Sequence, residues 1–121
     1  MSNLANNILE HALHISGNDK AVALELLKIF LLEIKEAEDE IEKLSFHKKY
    51  DQLSMLCHKL AGGCSYFGTS DLKNYLLACE KLLSSPPVES KMLEVLIKKT
   101  LSCLKKIEKN SDLIFELLQK K

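Results

Sequence analysis

The sequence predicts an all-α protein, an antiparallel four-helix bundle with a short additional helix at its N-terminus. Three observations lead there. Leucine, lysine, glutamate and isoleucine dominate, and only four glycines and two prolines interrupt the 121 residues. No alternating apolar and polar stretch is long enough for a strand. Apolar residues instead recur every three or four positions, in segments separated by short turn signals, which is how bundle helices read.

The first segment is a short amphipathic helix carrying Leu4, Ile8, Leu9, Ala12 and Leu13. It stops at Ser16-Gly17-Asn18-Asp19, where Gly and Asn end one helix and Asn or Asp caps the next. A helix this short needs tertiary packing to persist. From about Lys20 to Leu44, a second helix sets Ala23, Leu27, Phe30, Ile34, Ala37, Ile41 and Leu44 in three-four alternation. Leu24 and Leu31 widen that stripe on the first half only, so the N-terminal helix is expected to pack there. The second half carries the run Glu33, Glu36, Glu38, Asp39, Glu40 and Glu42, within which Lys35 is the single lysine, and reads as a solvated acidic face.

A third helix, from about Lys48 to Phe67, ends at Gly68-Thr69-Ser70-Asp71, which also caps the fourth. The fourth, Asp71 to Leu83, presents Leu72, Leu76, Cys79 and Leu83 to the core. Ser84-Ser85-Pro86-Pro87 is the clear connector, with proline suited to the first turn of the last helix. That helix continues through Leu93, Ile97, Thr100, Leu104, Ile107, Ile114 and Leu118, with a weak point at Lys109-Asn110-Ser111.

A chain of this length has room for one domain, 1–121. Seventeen basic and seventeen acidic residues cancel, and no basic stripe is interleaved with aromatics, so there is no electrostatic case for nucleic acid. No long apolar run or charged leader appears, and a cytoplasmic protein without membrane insertion is expected. Cys57, Cys64, Cys79 and Cys103 form no Cys-x-x-Cys pair and read as small core hydrophobes. His11 and His14 share a helix face without a third ligand, and His47 falls at a helix junction, exposed.

The informative residue is His58. At about 100° per residue, with His58 as zero, Leu53, Leu56, Leu60, Cys64 and Phe67 fall between roughly 160° and 240° and face the core. Ser54, Ala61, Gly62 and Ser65 lie within about 60° of the histidine by the same geometry. The imidazole is therefore expected to stand on a low, open surface. Two adjacent glycines inside a helix cost about 1 kcal/mol each relative to alanine. Helical side chains lean toward the N-terminus, so a side chain at position 62 would lie over His58, and Gly62 reads as clearance for an approaching partner. Gly63, on the flank, suits close helix packing. Tyr66 and Phe67 are assigned to packing at the helix end.

The pattern His58-x-Leu60-x-Gly62, followed by Gly63, Cys64 and Gly68, resembles the histidine-containing phosphotransfer domains of bacterial phosphorelays. The resemblance extends to the turn Gly17 to Asp19, to Leu26-Leu27 with Phe30, to Tyr50, Asp51 and Leu53, and downstream to Leu72, Leu76 and Glu80. It implies that His58 accepts a phosphoryl group from a receiver-domain aspartyl phosphate and passes it to a second receiver. The donor would sit on a hybrid sensor histidine kinase and the acceptor on a response regulator. The chain would be a phosphocarrier without its own kinase activity, binding no cofactor or metal, with Mg2+ supplied by the partner receiver. A monomer is expected, because the histidine must stay accessible.

The family often has a lysine three positions after the histidine, and Ala61 stands there instead. Lys59 is the nearest substitute to support phosphate charge. Docking is expected around Ser54, Met55, Ala61, Gly62 and Ser65, with apolar parts of the preceding helix. Two other readings compete: an adaptor that binds receivers without carrying phosphate, which Ala61 favours, and a zinc-binding bundle using Cys57, Cys64 and histidines.

Overall fold

A computed structural model describes residues 3–121. The described residues form six helices and no strand: α1 (Asn3–Ile15), α2 (Lys20–Phe46), α3 (Tyr50–Phe67), α4 (Ser70–Leu83), α5 (Ser90–Lys109) and α6 (Ser111–Gln119). Helices α2, α3, α4 and α5 close a ring of contacts, α2 on α3, α3 on α4, α4 on α5 and α5 back on α2. The contact of α3 with α4 is the most extensive. Helices α1 and α6 pack on each other and on α2, and α1 also reaches α3.

The expected stripes of α2, α4 and the last helix are in the core, while Leu4 and Leu13 of α1 are half-buried. Ala23, Leu27, Phe30, Ile34, Ala37, Ile41 and Leu44 of α2 are buried, as are Leu72, Leu76, Cys79 and Leu83 of α4. Phe30 stacks on Phe67 with ring centroids 4.1 Å apart, fixing α2 against the end of α3. Thr100 is fully buried, and its hydroxyl donates to the Leu96 carbonyl at 2.8 Å, so no polar atom is stranded there. Leu31 is buried where α1 was expected to pack, while Leu24 faces Phe115 and Leu118 of α6.

The turns explain where helix ends depart from expectation. Asp19 caps α2, its Oδ1 accepting from the backbone N–H of Ala21 at 3.0 Å and of Val22 at 3.2 Å. α3 begins at Tyr50 rather than Lys48, because Lys48 is left-handed with φ 55° and cannot be a helical residue. Thr69 precedes α4 without capping it: its hydroxyl turns back to the Cys64 carbonyl at 3.5 Å. The prolines lie outside α5, which starts at Ser90 after Glu89. The expected last helix is divided at Asn110. There the Asn110 amide donates to the Lys106 carbonyl and Ser111 Oγ to the Glu108 carbonyl, both at 2.8 Å. Such side-chain bonds compete with the helical ladder, and the break lets α6 fold onto α1.

Gly68 ends α3 and, unlike Gly17, which is also left-handed at φ 65°, is held to glycine by its neighbours as well as by its conformation. Its φ of 68° is left-handed, and a Cβ there would come within 2.6 Å of the His11 ring and 2.9 Å of Asn7 Nδ2. That close approach lets Asn7 donate to the Gly68 carbonyl at 2.7 Å, so α1 is fastened to the α3–α4 turn.

Candidate functional site

His58 projects from the middle of α3 with three-quarters of its side chain exposed, and its Nδ1 lies 2.9 Å from Oε2 of Glu80 on α4. A carboxylate only accepts, so the ring donates from Nδ1 and keeps its lone pair on Nε2. The helical hairpin accounts for the meeting. His58 and Glu80 are centred on Thr69, as are Ser65 and Lys73, whose Nζ donates to Ser65 Oγ at 2.7 Å. Two helices folded back about that turn bring residues equally far from it to one level. Glu80 and Lys73 are thus functional candidates missed in sequence, although distance from the turn was a usable signal for both.

Gly62 is exposed, and a Cβ on it would meet nothing within 4 Å. The fold itself does not ask for glycine there, so the helix cost is borne without a packing gain. Gly63 also meets nothing within 4 Å, which corrects the expectation that it permits close helix packing.

The expected docking ground is present in part. Met55 is 73% exposed, Ser65 is exposed and Ser54 half-buried. Ala61 is a correction: it is only 3% exposed and belongs to the core. It stands one turn beyond Cys57, whose thiol meets Cys79 of α4, so this flank of α3 is covered by α4. The buried arc of α3 is wider than the apolar residues alone imply, and Leu56, on its other edge, is only half-buried. Tyr66 is a second correction. Phe67 packs, but Tyr66 is 59% exposed, because at about 80° from His58 it shares the histidine's side of the helix. Leu77 of α4, 42% exposed, joins this surface three residues before Glu80. Its place off the Leu72, Leu76, Cys79 and Leu83 stripe was visible in sequence.

Lys59 is exposed and leans toward α2, where it lines a groove with Glu33, Glu36 and Glu40. The acidic run of α2 therefore includes three residues beside α3. Cys57 and Cys64 face the core, away from His58. The Cys57 thiol is held well above its ordinary range by its hydrogen bond to Cys79 and by burial, and burial also raises Cys64. Protonated buried thiols are poor zinc ligands. Among the described residues no three His, Cys, Asp or Glu side chains are grouped to hold a metal ion. His11 bonds through Nδ1 to its own helix, at the Asn7 carbonyl, 2.8 Å away. His47 is exposed.

A family model described as Hpt domain matches residues 25–110, from the second turn of α2 to the end of α5, leaving α1 and α6 outside the match. No curated protein and no solved structure matches the chain.

Proposed function

The chain belongs to the Hpt domain family, histidine phosphocarriers of phosphorelays rather than kinases, and on that premise we propose that His58 is its phosphoacceptor. It takes the phosphoryl group from an aspartyl phosphate on the receiver of a hybrid sensor kinase and passes it to the receiver of a response regulator. The observation that carries this is the His58 ring, three-quarters exposed and engaged at Nδ1 by Glu80, which leaves Nε2 as the nitrogen available for attack.

In the forward step the Nε2 lone pair attacks phosphorus, the bond from phosphorus to the aspartyl oxygen breaks, and its electron pair returns to the receiver's carboxylate. The phosphorylated ring keeps its proton on Nδ1 and is formally cationic, and the Glu80 carboxylate balances that charge at hydrogen-bond distance. The reverse step delivers the group to the second receiver. Most transition-state stabilisation is assigned to the receiver, whose acidic pocket holds Mg2+. The phosphotransfer protein supplies a positioned nucleophile and a surface that admits the receiver.

Gly62 provides the clearance, and Ser54, Met55 and Ser65 border it, together with Tyr66 and Leu77. Lys59 is the cation nearest in sequence to His58, but it stands over the α2 groove, and phosphate support by it requires the side chain to swing across α3. The whole chain serves as one phosphotransfer unit, in which α2 to α5 form an antiparallel four-helix bundle and α1 and α6 brace one end. Among the described residues no helix is long and apolar enough to cross a membrane. A cytoplasmic monomer suits a histidine that must meet two partners in turn.

The test is phosphoryl transfer from a panel of phosphorylated receiver domains to wild type and His58→Gln, scoring acid-labile, alkali-stable phosphate. Label on wild type alone supports the relay. Receiver binding by a well-folded wild type that never takes label supports the adaptor reading instead.

A further inference from the structure

Resting on the phosphorelay reading, we infer that Lys73 of α4, held in place by Ser65, is the residue that engages a carboxylate of the docked receiver and so helps choose the partner. Lys73 is half-buried, and its Nζ is fixed 2.7 Å from the neutral Ser65 hydroxyl. Among the described residues it forms no ion pair, unlike Lys28, Lys98 and Lys120, each of which lies beside a glutamate three or four residues earlier. A lysine bonded to a hydroxyl retains its full charge for an incoming anion. Because its stem is already packed, less side-chain freedom is lost when that anion arrives.

Its position fits a partner contact rather than a phosphoryl contact. Ser65 is seven residues beyond His58 on the same face of α3, about 10 Å along the axis at 1.5 Å per residue. An interface of roughly 800 Å² per partner, centred on His58, extends about 16 Å in every direction and includes that point. Between them lies Gly62, over which nothing stands, and beside them exposed Leu77. The buried Ala61 brings no charge to the surface, and Lys59 leans the other way, toward the carboxylates of α2. On the α4 side of the histidine, Lys73 and Lys81 flank Leu77 at one turn each, and Lys73 is the one held in place by a hydrogen bond, set to meet the receiver.

The experiment uses the receiver that transfers fastest to wild type and varies its concentration and the salt, comparing wild type with Lys73→Met, Lys73→Arg and Ser65→Ala. Phosphoramidate serves as a second donor too small to dock, and thermal melting is followed in parallel. Lys73→Met is expected to raise the half-saturating receiver concentration about tenfold, within the range for one interfacial charge pair. Its limiting rate, its labelling by phosphoramidate and its melting temperature should stay at wild-type values, and its salt dependence should weaken. Arginine should retain most of the affinity, and Ser65→Ala should fall between. Unchanged half-saturation, equal losses with both donors, or a lowered melting temperature as the only effect would each overturn the assignment. Wild type that takes label from neither donor would remove the phosphorelay reading, and this inference with it.

Discussion

Nδ1 of His58 and Oε2 of Glu80 lie 2.9 Å apart although the residues are twenty-two positions apart in the chain. A carboxylate partner calls for a proton on Nδ1 and sets which way the ring faces. Replacing Glu80 by Gln keeps an acceptor oxygen in reach, and label uptake should stay within a few-fold of wild type. Glu80→Ala releases the ring, and the rate should fall about tenfold, the low end of what is lost when a functional histidine loses its orienting partner. The 15N shifts of the imidazole provide the independent readout: the Nδ1–H tautomer should dominate in wild type and lose that dominance in Glu80→Ala.

His58→Gln should abolish label and leave folding intact, since an exposed polar substitution seldom changes stability by more than about 0.5 kcal/mol. Melting curves of the two proteins should superimpose. A large drop would mean that the histidine holds the bundle together.

Gly62→Ala and Gly63→Ala should each stabilise the protein by about 1 kcal/mol, because neither Cβ meets an obstacle and alanine restricts the unfolded chain. The melting temperature should rise by about 3–5 °C for a domain of this size. Their effects on transfer should separate. Gly62→Leu should block receivers while leaving labelling by phosphoramidate measurable, whereas Gly63→Ala should transfer normally.

Gly68→Ala should do the opposite. Left-handed backbone costs a residue with a Cβ about 1–2 kcal/mol, and the new methyl would also press on the His11 ring. Adding His11→Ala should recover the part of the cost due to the ring, leaving the backbone strain and the contact with Asn7. A double-mutant cycle by thermal denaturation measures that coupling.

Glu38 supplies a pH prediction. Burial pushes its carboxyl up, and the hydrogen bond and charge of Glu108 push it further, with Lys105 opposing. A carboxyl whose value is higher folded than unfolded binds its proton more tightly in the native state. Stability is then reduced as pH rises through that raised value, and the penalty persists at neutral pH. Glu38 is only partly buried, so Glu38→Gln should stabilise by a few tenths of a kcal/mol at pH 7, on the order of an exposed like-charge pair. The difference should vanish below the ordinary carboxylate range, and melting at several pH values checks it.

Much of this was legible one helix at a time. The apolar spacing of α2, α4 and α5 named the core residues that are in fact buried, and the same rotation placed His58 opposite the core of α3. Tyr66 was assigned to packing although the same rotation sets it at about 80° from His58, and it is exposed. Rotation failed at Ala61, because the width of a buried arc depends on how closely the neighbouring helix lies, and α4 covers that flank. Helix ends failed where a side chain or an unusual φ competed with the ladder, as at Lys48, Thr69 and Asn110.

The sequence by itself determined the all-α class, the exposure of His58 and the open surface at Gly62, since each depends on residue type and on the local period of one helix. Only the tertiary structure decided that Glu80 orients the ring, that Lys73 is tethered at Ser65, and that Gly68 is locked beneath α1. Those are contacts between residues distant in the chain. They are created by the way α3 and α4 fold back about Thr69 and by the helix that closes over their turn, neither of which the period of a single helix can specify.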